Sequence, residues 1–112
     1  MNESILTTIK KLLGLTEDYT PFDTDIIIHI NSVFAILQQL GYGPEEGFSI
    51  SDSTTTWDEY TDASHLELIK SYIYLRVRLL FDTATASSAT LDVIQKQIAE
   101  FEWRINVAVD PR

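Results

Sequence analysis

Residues 24–41 read TDIIIHINSVFAILQQLG, and this stretch decides the fold. Apolar residues recur at Ile26, Ile30, Val33, Leu37 and Leu40, the four- and three-residue steps that return to one side of a helix. Gly41 follows, supplying the permissive backbone at which helices end. The isoleucines at 26–28 are strand-like by themselves, but the helical spacing is sustained over the whole segment and outweighs them. Ile27, Phe34 and Ile36 widen the apolar stripe beyond one contact surface. The spacing therefore predicts a helix over 24–40, capped by Asp23 or Thr24 and covered on two sides.

Working outward, residues 3–13 place Ile5, Leu6, Ile9, Leu12 and Leu13 on one face of a shorter helix that stops at Gly14. On the other side, residues 41–63 read GYGPEEGFSISDSTTTWDEYTDA, rich in Gly, Ser and Thr, and predict a long acidic loop. Phe48 and Ile50 alternate with serines there as in a brief strand, although no partner strand is evident. A connection of this length inside a small domain usually has a task, and Trp57 and Tyr60 are the side chains that would tack it to the helices or present it to a partner. Ser64, three residues before Glu67, has the spacing of a capping box and opens a third helix over 65–81 that is apolar nearly all round. After DTATASSAT, residues 88–108 carry Leu91, Ile94, Ile98, Phe101, Ile105 and Ala108 along a narrow seam. The expected fold is all-α: one small four-helix domain spanning 1–112, with the acidic loop between the second and third helices.

The chain has no cysteine, which removes thiolate chemistry and disulfides, and no apolar run of the length a membrane span needs. Seventeen acids oppose 8 bases, giving a net charge of −9 that argues against gripping phosphates. The imbalance is concentrated: no Lys or Arg lies between Lys11 and Lys70, while that interval holds the acids from Glu17 to Glu67.

No catalytic constellation emerges. His29 sits in an apolar helix and His65 beside a cap, neither with the companions of a metal site. GYGPEEG lacks the lysine of a phosphate-binding loop and carries two carboxylates that would repel a phosphate. The acids 52, 58, 59 and 62 do not match a calcium loop. The expectation is no enzyme, no metal and no cofactor. What exceeds the needs of one small core is the apolar surface on the second and third helices and at the aromatic end, Phe101 and Trp103 with Val107 and Val109, a pattern typical of subunit contact. A different reading of the charge is a small acidic inhibitor that imitates DNA to occupy a nuclease or repressor.

The strings INSVFAILQQLGYGPEEGFSI (30–50), TTTWDEY (54–60), SYIYLRVRLLFD (71–82) and QIAEFEWRINV (97–107), in this order, resemble the head-tail connector, or head-completion adaptor, family of long-tailed phages and prophages. The family's proline pair after the third helix is replaced here by Thr83 and Ala84, which implies a softer turn. The resemblance implies a structural virion protein, assembled in the host cytoplasm into a ring of about twelve subunits beneath the portal. It implies a portal on one side, a stopper or tail-completion protein on the other, and DNA passing through the channel without specific binding. Portal docking is expected at Phe101, Trp103, Arg104, Val107 and Val109, with the tail to Arg112. Glu45, Glu46, Asp52, Asp58, Glu59 and Asp62 are expected to face the channel, and Ile27, Phe34, Tyr72, Tyr74, Arg76 and Arg78 to meet neighbouring subunits.

Overall fold

In a computed structural model, which describes residues 3–82 and 86–109, the chain forms four helices: α1 (Ile5–Leu12), α2 (Asp23–Gln39), α3 (Leu66–Asp82) and α4 (Ser88–Val109). A single 3-10 turn, Trp57–Glu59, interrupts the connection from α2 to α3, and there is no strand among the described residues. Segment 83–85, where the family's prolines would fall, lies outside the described residues, as does the tail 110–112.

The glycine stops work as the sequence predicts. Beyond α1, the N–H of Gly14 (φ +89°) donates to the Lys11 carbonyl and that of Leu15 to the Lys10 carbonyl. Beyond α2, Gly41 (φ +96°) donates to Gln38 and Tyr42 to Leu37. Both are the paired bonds of a left-handed helix terminus, a conformation that side chains with a Cβ resist.

The helix starts differ from expectation. Neither Asp23 nor Thr24 caps α2, whose entry residue Phe22 makes no side-chain capping bond. Asp23 instead pairs with the Lys10 ammonium at 2.8 Å, and Lys10 also donates to the Glu17 carbonyl at 2.9 Å. Lys10 is only 2% exposed, so removing its charge from water is tolerable only because both partners meet it. The pair joins the end of α1 to the start of α2. At α3 the Ser64–Glu67 box does not form. Asp62 Oδ1 accepts from the His65 N–H at 2.9 Å and the Ser64 hydroxyl at 2.8 Å, while Glu67 turns to Lys70. The Ser64 hydroxyl is thus spent on Asp62 and not on the Glu67 N–H that a capping box would use, and α3 begins at Leu66. A capping box does occur one segment earlier, between Thr56 and Glu59 at the 3-10 turn.

The core explains why α3 is apolar nearly all round: it is packed by α1, α2 and α4. Ile69, Tyr72, Ile73 and Val77 of α3 are fully enclosed, together with Ile26, Ile30, Val33 and Leu37 of α2 and Ile5 and Ile9 of α1. α2 has its second cover from an unexpected source. The connection folds back over it, adding Ile50, Trp57 and Tyr60 to the same core. Phe48 and Ile50 form no strand; the connection is held by side chains and by backbone bonds near the entry of α1, from the Ile5 N–H to Thr55 and the Trp57 N–H to Glu3.

Candidate interaction surfaces

Three features fasten the 41–63 connection. The Asn31 side-chain amide on α2 donates to the Ile50 carbonyl at 2.9 Å and accepts the Ile50 N–H at 2.8 Å, acting as a one-residue substitute for a strand partner. Trp57, 1% exposed, donates its indole N–H to Thr8 at 3.0 Å, and its backbone N–H to the Glu3 carbonyl at 3.1 Å. Tyr60 packs its ring at 4.6 Å from Phe34 and 4.8 Å from Phe48, centroid to centroid. Of the two roles expected for Trp57 and Tyr60, the tacking role is the one seen.

The six loop acids are all exposed, but they are not equivalent. Asp52 accepts from the Thr54 hydroxyl at 2.5 Å and the Thr54 N–H at 2.9 Å, bonds that lower its carboxyl below the usual range. Asp58 accepts from the Thr56 hydroxyl, and Glu59 from the Thr56 N–H at 2.8 Å. Asp62 is also lowered, first by the Ser64 hydroxyl; desolvation opposes this, and the bonds and charge of His65 add to the lowering. These four organise the turns. The side chains of Glu45 and Glu46 are outside this capping set, and it is the Glu45 carbonyl that accepts from Gln38 at 2.6 Å.

Beside the 3-10 turn a cavity of about 430 Å³ opens between Tyr42, Gly43 and Tyr60 on one side and Asp58, Glu59, Asp62 and His65 on the other. Burial pushes the phenols of both tyrosines up. The Tyr42 and Thr61 hydroxyls bond to each other at 2.5 Å. The Tyr60 hydroxyl has no hydrogen-bond partner among the described residues.

The residues expected to meet neighbouring subunits divide. Phe34 and Tyr72 are corrections: they are 2% and 0% exposed, enclosed by the chain's own core, because the folded-back connection covers Phe34 and α4 covers Tyr72. Arg76, expected to reach a neighbour's acid, donates to Glu102 of its own α4 at 2.5 Å and to the Tyr72 hydroxyl at 2.9 Å. The Tyr72 hydroxyl in turn donates to Glu102 at 2.7 Å. Burial and that bond push the Tyr72 phenol up to about 12. Burial alone would raise Glu102, but the bonds from Arg76 and Tyr72 prevail and hold its carboxyl below the usual range. Ile27, Tyr74 and Arg78 remain half-buried. Tyr74 and Arg78 line a groove of about 300 Å³ with Leu12, Leu13 and Phe81, and the exposed Phe22 ring lies 5.4 Å from that of Phe81.

At the aromatic end, Trp103 is 65% and Val107 55% exposed. With Val93, also exposed, they fall on the side of α4 opposite its buried Ile94, Ile98 and Ile105. Phe101 and Val109 are half-buried against the core, Val109 beside Gly41. Arg104 pairs with Glu100 at 2.7 Å and lies over the Phe101 ring.

Residues 5–112 match the family model described as phage connector protein. The chain belongs to that family. No curated protein and no solved structure gives a significant match. Membership assigns this connector a structural head-tail role in a portal-associated assembly and makes it a virion component, and no described helix is long and apolar enough to cross a membrane. Sequence reasoning missed Asn31, Thr8 and Lys10, whose partners lie far along the chain. The one signal for Asn31 was a lone amide inside an apolar helix, which demands a partner.

Proposed function

We propose that this connector is the head-completion adaptor, forming a ring between the portal and a tail-side stopper and extending the DNA channel. The family match over residues 5–112 carries the reading. Two unlike surfaces support it: the groove that Tyr74 and Arg78 line with Leu12, Leu13 and Phe81, and the apolar outer face of α4 at Trp103 and Val107. A closed ring joins two different faces of each subunit, head to tail, and has other surfaces left for partners above and below. In this reading Trp103, Val107 and the tail beyond Val109 dock on the portal, with Phe101 and Arg104 shaping that end. Ile27, Tyr74 and Arg78 lie at the subunit contact.

The acids Glu45, Glu46, Asp52, Asp58, Glu59 and Asp62 face the channel in this reading, repelling the phosphate backbone so that passing DNA does not adhere. Glu45 and Glu46 test this most cleanly, because their carboxylates are outside the turn-capping set. The decisive experiment adds purified protein to portal-bearing, DNA-filled heads that lack it. Electron microscopy should then show a collar below the portal, and heads that stay bare would refute the adaptor role. Pairwise reversal of Glu45 and Glu46 to Lys should slow DNA release from completed particles; unchanged release would refute the channel assignment alone.

A further inference from the structure

The cavity beside the 3-10 turn takes its rim from acids that the channel reading also uses, but its floor has a feature that neither the ring nor the channel needs. Its floor holds Tyr60, nine-tenths buried, whose hydroxyl is without a partner among the described residues. A buried hydroxyl left unpaired is destabilising, and its persistence points to a group that arrives from outside. That hydroxyl lies against Gly43, where an added Cβ would stand 3.0 Å from it and crowd it. The rim carries Asp58, Glu59 and Asp62. Their capping bonds engage Oδ1 of Asp58, Oε2 of Glu59 and Oδ1 of Asp62, so the second oxygen of each carboxylate lies outside those bonds. Three carboxylates exclude an anion, and no cluster among the described residues draws acids close enough to hold a metal ion.

We infer that this pocket binds the guanidinium group of an arginine presented by a protein chain other than this one. The chemistry fits on three counts. A guanidinium is always charged and meets carboxylates through forked N–H donors. Its flat face lies well against phenol rings such as those of Tyr42 and Tyr60. Its remaining N–H groups reach an isolated oxygen, which Tyr60 supplies. The cavity of about 430 Å³ has room for a side chain of that length. A second copy is the less suitable donor, since Arg76 and Arg104 of this chain are already engaged by its own Glu102 and Glu100.

The test titrates the full chain with arginine amide and follows the backbone amide resonances of Gly43, Tyr60 and Thr61. Saturable shifts are expected that sodium chloride at equal ionic strength does not reproduce, with lysine amide binding more weakly. Tyr60→Phe should weaken arginine amide about tenfold, the scale of one hydrogen bond to a charged donor, while leaving the thermal midpoint equal or higher because no unpaired hydroxyl remains buried. Asp58→Asn, which keeps an acceptor for Thr56, should weaken it as well. Salt reproducing the shifts, lysine amide binding as tightly, or Tyr60→Phe binding like the parent would overturn the guanidinium assignment. If arginine amide dissolved a homo-oligomer of this chain, and Arg104→Gln prevented that oligomer from forming, the donor would be a second copy and the assignment to a different chain would fall.

Discussion

The connection between α2 and α3 and the outer face of α4 exchange the roles their sequences advertise. The connection is polar, glycine-rich and acidic, yet it delivers Ile50, Trp57 and Tyr60 into the core and is pinned by Asn31 and Thr8. α4 has a regular apolar seam, yet it leaves Trp103 and Val107 in solvent. The two tryptophans thus separate two uses of one side chain. Trp57 stabilises the fold, whereas Trp103, largely in solvent, contributes little to it. A large exposed aromatic retained on a small acidic surface is an interface anchor more readily than a packing residue.

Trp57 gives the largest expected effect. Trp57→Ala removes a buried indole and leaves Thr8 without its donor, which should cost about 3 to 5 kcal/mol in chemical unfolding. A loss below about 1 kcal/mol would show that the connection is dispensable to the core and erase the contrast. Next comes Asn31. Asn31→Ala strips both backbone bonds from Ile50 and should cost about 2 kcal/mol, with faster hydrogen exchange confined to the connection. Exchange that accelerated equally in α4 would mean the connection is not a separate unit.

How much of this could be read from the chain follows from the range of the interactions. The helices were legible because the residues that fix them are three or four apart, and the glycine stops act within one turn. The fastenings were not, since Asn31 and Ile50 are 19 residues apart and Thr8 and Trp57 are 49 apart. Periodicity showed that α2 had more apolar surface than one contact requires, but not what covers it. Phe34 was assigned to a neighbouring subunit for that reason, when Phe48 and Tyr60 of the same chain lie on it. The pairing of Arg76 was equally out of reach, because Glu102 approaches it only once α4 has turned back along α3. The cap of α3 failed for a local reason: Asp62 takes the Ser64 hydroxyl and Lys70 takes Glu67, and spacing does not show these rival partners. At the aromatic end the residue identities were legible, and Trp103 is set apart from Phe101 and Ile105 by its angle on the helix.

A smaller effect is expected where α4 packs on α3. Glu102→Gln weakens the bonds from Arg76 and Tyr72 and should cost about 1 kcal/mol near neutral pH. Because Glu102 binds its proton less readily folded than unfolded, its contribution is present above the ordinary carboxyl value of 4.5 and disappears as pH falls through the lower folded value. The parent chain should therefore lose stability faster than Glu102→Gln across that acid window, the two curves converging at its lower end. Parallel curves would remove Glu102 from the acid sensitivity.

The smallest effect on the fold is expected at Trp103. Trp103→Ala removes a side chain that is 65% exposed, so its unfolding curve should stay within about 0.5 kcal/mol of the parent. The same variant should fail to bind heads, since a tryptophan that contributes so little to its own chain gains its burial only in a complex. Trp103→Phe keeps most of the apolar area and should recover part of the binding, while Val93→Ala, on the same outer face but toward the other end of α4, should leave portal docking intact. If Trp103→Ala instead destabilised the chain as Trp57→Ala does, both tryptophans would be core residues, and α4 would have no anchor at this end.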